Sequence, residues 1–126
     1  MTTLPDLVPR TYSFALDSLR FYRSLAKTPD AQVPGVQFYK AATSLAANYR
    51  AARRGRSRAE FIAKLGTVVE EADESTFWLE FMRDGEIKDD AVLLAEAKQL
   101  CAIFTTSLET SRRNRLAMSL RSYFSF

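Results

Sequence analysis

The 126-residue chain contains no histidine and only one cysteine, Cys101. Histidine is the common base of nucleophilic triads and a common metal ligand, so both kinds of site are excluded in their usual forms. A lone cysteine forms neither an internal disulfide nor a zinc site of several thiolates. Its place beside Leu100 and Phe104 on an apolar helix face is typical of a buried, unreactive thiol. We therefore predict that the protein is not an enzyme and holds no metal and no cofactor.

Long apolar runs are also missing from the sequence. No stretch reaches the roughly 18 uninterrupted apolar residues that a membrane span needs. The first ten residues lack the basic start and apolar run of a secretory signal. We therefore expect a cytoplasmic protein and do not expect a membrane partner.

Glycine and proline are scarce, with four of each, and most of them fall between segments of helical periodicity. The alternating pattern of strands is not found. The length suits one domain, 1–126. We predict an all-α fold, an antiparallel four-helix bundle in up-down-up-down order, because the connections are short.

Local signals place the helix boundaries. The residue before Pro29 is pushed out of the helical region, and Pro34 suits the start of a second helix. Ser57 and Glu60 have the spacing of a capping box, and Asp89 is the expected N-cap of the last helix. The predicted helices span about 9–27, 34–54, 58–83 and 89–115, followed by a C-terminal arm of about 116–126. The segment 112–126 either continues the fourth helix or forms an arm that docks on the bundle or on a neighbouring subunit.

The apolar stripes on the first and third helices are wider than one bundle seam requires. The main stripe of the first helix is Tyr12, Leu16, Leu19 and Tyr22. A bundle of this size hides about one stripe per helix, so further apolar residues are expected to contact a second subunit. These surplus residues are Phe14, Phe21, Leu25, Phe77 and Phe81. The pattern therefore predicts self-association.

Basic residues cluster in two places, although the net charge is only +3. The clusters lie at the predicted turn between helices 2 and 3 and at the end of helix 4, which meet at one end of an up-down bundle. Arginine binds phosphate with two parallel hydrogen bonds, so RNA or DNA is the predicted partner. The alternative is a solvated loop whose arginines favour the C-terminus of helix 2 through its dipole. The candidate nucleic-acid-binding residues are Arg50, Arg53, Arg54, Arg56, Arg58, Arg112, Arg113 and Arg115.

Three polar residues fall near the predicted interface between helices 2 and 3. Asn48 is unfavourable inside a helix and is expected to have a hydrogen-bond partner. Glu74 lies near the seam of the third helix, and Lys40 lies on the helix that faces it. We therefore predict a partly buried network of Lys40, Asn48 and Glu74 that fixes the register of the two helices.

Three stretches of the chain resemble a known family. The segment Gln37–Asn48 fits the pattern Q-x-x-R/K-A-A-x-S-I/L-x-A-N, and Glu71–Glu80 fits E-A-D-E-S/T-x-x-W-L-E. Between them, Ser57–Phe61 fits S-x-x-E-F. These motifs resemble the four-helix-bundle proteins first noticed as reading frames in intervening sequences of large-subunit ribosomal RNA genes. The family is related to accessory proteins of diversity-generating retroelements.

The resemblance implies a ring-like homo-oligomer, commonly a pentamer, with no known catalytic activity and a suspected role in binding RNA or DNA. The chain departs from the family pattern after Asn48, where Tyr49–Ala52 replaces the usual Ile-Ala-Glu-Gly and removes an acidic position. The sequence thus supports two functional hypotheses. One is a non-catalytic oligomeric bundle that binds nucleic acid through a basic end. The other is a structural adapter with a protein partner and no nucleic-acid role.

Overall fold

The computed structural model describes residues 6–124, which form four helices and no strand. Each helix packs against the next in sequence, and α4 returns to α1 through a smaller interface. The all-α four-helix bundle expected from the sequence is confirmed. The helices are α1 (Leu7–Arg23), α2 (Pro29–Arg53), α3 (Arg58–Asp84) and α4 (Ala91–Phe124).

The second helix begins earlier than predicted. Thr28 is its N-cap and Pro29 occupies the first turn, where a missing N–H costs nothing. Pro34, the predicted start, lies inside the helix and is buried. The first helix ends at Arg23 rather than near Lys27, so residues 24–28 connect α1 to α2.

Two helix caps differ in detail from the prediction. The Ser57 hydroxyl accepts from the Glu60 N–H at 3.1 Å, as expected. The Glu60 carboxylate, however, accepts from the N–H of Arg56 rather than from that of Ser57, so the box is not reciprocal. At the start of α4 the capping oxygen belongs to Asp90, which accepts from the Leu93 N–H at 2.9 Å, and not to Asp89.

The core face of α1 is not the stripe with the most apolar residues. Phe14 and Phe21 are buried and make edge-to-face contacts with Phe38 of α2. Thr11 and Ser18 are also fully buried, and their hydroxyls donate to carbonyls of α1 itself. The expectation that Phe14, Phe21 and Leu25 contact another subunit is wrong, because all three lie in the core of their own chain.

Polar side chains link α1 to α4 and to the loop that precedes it. The Arg10 guanidinium donates to both carboxylate oxygens of Glu96, at 2.9 and 2.6 Å, and to Gln99. At the other end of this seam the Lys88 ammonium donates to the Ser24 hydroxyl and lies 5.2 Å from the centre of the Phe21 ring.

The last helix continues beyond the bundle. Within residues 6–124, only α4 is long and apolar enough to cross a membrane by length and composition, with an 18-residue window of mean hydropathy 1.3. Its first half packs Leu100, Phe104 and Leu108 into the core, as the core helix of a globular protein does. From Arg112 onward every described residue is exposed, so the predicted arm at 116–126 is, as far as Phe124, a helical extension that does not dock on its own bundle.

Candidate nucleic-acid interface

The first cluster of arginines surrounds the connection between α2 and α3. Arg50 and Arg53 lie in the last turn of α2, and the chain then turns at 54–57 before α3 begins at Arg58. The side chains of this cluster are exposed, because the apolar residues of the same turns, Tyr49 and Ala52, take the buried positions. The exposed cluster comprises Arg50, Arg53, Arg54, Arg56 and Arg58.

The second cluster reaches the same end of the bundle. Ser111 of α4 shares a surface depression of about 400 Å³ with Arg53 and Arg58. The next residues of α4 include Arg112, Arg113 and Arg115, all exposed. The structure therefore brings both predicted clusters together at one end of the molecule. We call the eight arginines the basic pole.

None of the eight arginines forms an ion pair within residues 6–124. The ion pairs of this part of the chain join Arg10, Arg20 and Arg83 to carboxylates elsewhere. Arg53 interacts instead with the Tyr49 hydroxyl. Burial raises the pKa of that tyrosine, and the positive charge and hydrogen bond of Arg53 oppose the rise. The guanidinium groups of the basic pole therefore remain available to anionic ligands.

An apolar groove leads to the basic pole and was not predicted from the sequence. It runs between α1 and α2, encloses about 790 Å³, and ends at Arg50, Arg53 and Arg54. Tyr12, on the predicted core stripe of α1, lies in this groove with 60% of its surface exposed. Its other lining residues include Leu16, Leu19, Ala46 and Ala47. An exposed phenol ring beside guanidinium groups suits stacking of a base next to bound phosphate.

The predicted network of Lys40, Asn48 and Glu74 is not formed. Lys40 and Glu74 are exposed, and the Asn48 amide donates to the carbonyl and hydroxyl of Ser44 one turn back in α2, at 2.9 and 3.0 Å. Glu74 instead accepts a long contact, 3.5 Å, from the Trp78 indole of its own helix.

The polar link between α2 and α3 runs through Ser44 and Glu71 instead. Burial and the neighbouring charges of Glu74 and Glu70 raise the pKa of the Glu71 carboxyl, while a hydrogen bond from Ser44 opposes the rise. The Asn48 amide donates to the Ser44 hydroxyl and orients it. Asn48 therefore contributes to the link between α2 and α3, but with different partners from those predicted. A hydroxyl one turn from an asparagine is the sequence signal that would have located this link.

Metal-ligand chemistry has little support among the described residues. Residues 6–124 contain no group of three or more Cys, Asp or Glu side chains placed to hold an ion. Cys101 is half-buried, and burial raises the pKa of its thiol, with a smaller rise from the charge of Asp73 and an opposing hydrogen bond from Thr105. A raised pKa keeps the sulfur protonated and unreactive at neutral pH.

The comparisons with known proteins point to the same fold. No protein-family model matches the chain, and no curated protein matches it. A solved structure of a protein of unknown function from the S23 ribosomal protein family of Bacteroides thetaiotaomicron is similar, with a TM-score of 0.74 and 25% sequence identity. The similarity covers 81% of this chain and 97% of that chain, so about a fifth of this chain has no counterpart there.

Proposed function

We propose that the protein is a non-catalytic, self-associating helical bundle that binds RNA or DNA through the basic pole. The observation that carries this proposal is the gathering of eight exposed arginines, without an ion pair within residues 6–124, at one end of the bundle. Each guanidinium that contacts a phosphate releases a condensed counterion, which makes binding favourable and dependent on salt.

The proposal includes the finer points that the sequence resemblance implies. We assign the chain to the family of ribosomal RNA intervening-sequence proteins, related to accessory proteins of diversity-generating retroelements. A pentameric ring of cytoplasmic subunits would present several basic poles to one nucleic-acid strand and increase affinity through multivalency. The similarity to a structure from the S23 ribosomal protein family is consistent with this assignment.

The groove between α1 and α2 adds a way to hold the nucleotides. A phosphate at Arg50 or Arg53 leaves the adjoining sugar and base near Tyr12. A base can stack on this ring only when it is unpaired, so we propose that single-stranded segments bind better than duplexes.

The test removes three arginines from the pole. The triple variant Arg53→Ala/Arg54→Ala/Arg56→Ala should bind a labelled single-stranded RNA at least tenfold more weakly at low salt. The slope of log K against log salt should become shallower by about 2, since each lost phosphate contact contributes roughly 0.7 for a single strand. Fluorescence anisotropy at several salt concentrations measures both quantities, with duplex DNA titrated in parallel.

The matched control removes three basic residues from the opposite end of the molecule. Arg20→Ala/Arg23→Ala/Lys27→Ala lowers the net charge by the same amount at the end of α1. This control should bind RNA like the parent. Equal weakening by both triple variants would show that only net charge matters, and no binding by the parent at low salt would reject the nucleic-acid role.

The second candidate function is an adapter that binds another protein. The favouring observation is the pair of exposed rings, Phe77 and Phe81, on the outer face of α3. In that case the parent would not bind nucleic acid at low salt, and variants of these two rings would abolish the protein interaction.

A further inference from the structure

The groove between α1 and α2 is longer than a single nucleotide base requires. On α1 it extends from Val8 past Tyr12 to Leu19, and on α2 it extends from Tyr39 to the arginines of the basic pole. The stretch from Val8 to Leu19 rises about 16 Å at 1.5 Å per residue. The groove volume of about 790 Å³ is typical of sites that bind small organic ligands.

The charged lining residues of the groove all lie at one end, here called the mouth. They are Arg50, Arg53 and Arg54, and no described carboxylate residue lines the groove. Asp6 precedes the mouth in sequence, and its carboxylate caps α1 by accepting from the Val8 N–H at 3.0 Å. Arg53 interacts with the Tyr49 hydroxyl. Arg50 and Arg54 make no ion pair within residues 6–124, so both are available to an anion.

Beyond the mouth the groove is lined mainly by apolar side chains. Ala15, Leu16 and Leu19 of α1 line it together with Ala46 and Ala47 of α2. The two leucines are only half-buried and do not belong to the hydrophobic core. An apolar ligand in the groove would therefore cover side chains that the bundle leaves partly in water.

The polar groups far from the mouth already have partners. The Thr43 hydroxyl donates to the carbonyl of Tyr39 at 2.8 Å. The Tyr39 ring stacks on Tyr22 with a centroid distance of 5.7 Å. A nucleic-acid strand that followed the groove would place its phosphates in this part, where no described basic residue lines the surface. The far part of the groove therefore suits a hydrocarbon chain better than a charged polymer.

We propose that the groove binds a long-chain fatty acid, with its carboxylate at the mouth and its acyl chain along the apolar lining. A guanidinium binds a carboxylate with two parallel hydrogen bonds. An extended chain of about 13 carbons matches the 16 Å rise of the groove. The charge is confined to one end and the rest is apolar, which is the pattern of one anionic head and one tail. A helix of another protein is about 10 Å wide and would meet the groove with side chains along its whole length.

Fatty-acid binding does not rest on the proposed nucleic-acid role. Arg56 and Arg58 belong to the basic pole but do not line the groove. Variants of these two arginines therefore separate the groove from the rest of the pole. Fatty-acid binding is measured without nucleic acid, so either proposal can fail while the other holds.

The first experiment titrates the full-length protein into cis-parinarate, a fluorescent long-chain fatty acid, below its micelle concentration. The fluorescence should rise with a Kd of about 10 μM or lower. Laurate should displace the probe at least tenfold better than octanoate, because its longer chain covers more apolar surface. Laurate should also displace it at least tenfold better than lauryl alcohol, which lacks the charge. No fluorescence rise at about 100 μM protein, or equal displacement by laurate and its alcohol, would overturn the proposal.

The second experiment compares two pairs of arginines of the same pole. Arg50→Ala/Arg54→Ala should weaken the binding of cis-parinarate at least tenfold. Arg56→Ala/Arg58→Ala removes the same charge outside the groove and should bind the probe like the parent. Equal weakening by both double variants would show that the carboxylate responds only to net charge, which would refute a head-binding site at the mouth.

The third experiment blocks the apolar part of the groove without changing charge. Ala47 is exposed and lines the groove, so Ala47→Trp should weaken probe binding at least tenfold. Ala63→Trp, at an exposed position of α3 outside the groove, is the control and should bind normally. Circular dichroism checks that both variants are folded. Unchanged binding by folded Ala47→Trp would place the fatty acid elsewhere. A parent that binds no probe, together with a lower mass of Ala47→Trp in light scattering, would assign the groove to a second copy instead.

Discussion

Small polar residues decide which face of α1 is buried. Thr11 and Ser18 are fully buried, and each hydroxyl donates to a carbonyl one turn back. A hydroxyl satisfied in this way is tolerated in the core, because no hydrogen-bonding group is left without a partner. Ser75 of α3 does the same with the carbonyl of Glu71. A search for apolar residues alone selects Tyr12, which is 60% exposed, and therefore misidentifies the core face.

The raised pKa of Glu71 makes stability depend on pH. The folded chain binds the proton of this carboxyl more tightly than the unfolded chain does, chiefly because of burial. The protonated Glu71 carboxyl therefore adds to the free energy of unfolding. This contribution is complete below the pKa of the unfolded chain and is lost as the pH rises through the pKa of the folded chain. We expect Glu71→Gln to increase the free energy of unfolding at pH 7 by less than about 1 kcal/mol, because the side chain is only partly shielded from solvent.

The measurement is urea unfolding between about pH 4 and pH 8. The difference between Glu71→Gln and the parent should shrink as the pH falls and the parent carboxyl becomes protonated. Glu109→Gln, at an exposed position of α4 that is not among the charges acting on Glu71, is the control and should show no such trend. A difference that grows toward low pH would contradict the assigned direction of the shift.

At the scale of the helix, two glycines inside helices are expected to respond in opposite ways to substitution by alanine. Gly66 of α3 has open space where a Cβ would project, with no atom within 4 Å. Replacing it with alanine removes backbone freedom from the unfolded chain without adding a clash. Gly66→Ala should increase the free energy of unfolding by about 0.5–1 kcal/mol, measured by urea titration.

Gly35 of α2 is the contrasting position. A Cβ there would clash with the Leu25 side chain and would come within 3.3 Å of the Tyr22 ring. Both neighbours are held by the packing of α1 against α2, and Leu25 is 5% exposed. Gly35→Ala should therefore decrease the free energy of unfolding by about 1–3 kcal/mol, despite the better helix propensity of alanine. Stabilisation of this variant would show that α1 is free to shift.

The number and type of the helices could be predicted from the sequence because each carries a long periodic pattern. The boundaries were less predictable. Pro34 lies buried inside α2 rather than at its start, and Asp90 rather than Asp89 caps α4. Such choices depend on one or two hydrogen bonds within a turn, and the alternatives differ by about 1 kcal/mol.

At the scale of the molecule, the charge segregation could be predicted, but the partners of single polar groups could not. The basic pole follows from topology, since an up-down order places the end of α2 beside the far part of α4. The groove at Tyr12 and the link from Ser44 to Glu71 depend on helix rotation, which a periodic pattern defines only within a stripe. The side chain of Lys40 faces solvent for this reason, although its position in sequence suggested the interface.

The closure of the bundle depends on the seam between α1 and α4. This interface is the smallest of the four, and Arg10 bridges it with Glu96 and Gln99. Arg10→Ala should decrease the free energy of unfolding by about 1 kcal/mol, and the effect should diminish at high salt. Thermal or urea unfolding at two salt concentrations measures it. Arg20→Ala, which removes an exposed pair within α1, is the control with little expected effect.

The last helix is one rod of 34 residues without a glycine or proline. The same backbone ladder joins Phe104 in the core to Tyr123 at the exposed end, so no hinge separates them. A force or a rotation applied to that end passes directly to the interior side chains instead of being absorbed at a joint. A partner that binds the exposed end of α4 is therefore mechanically connected to the buried core of the bundle.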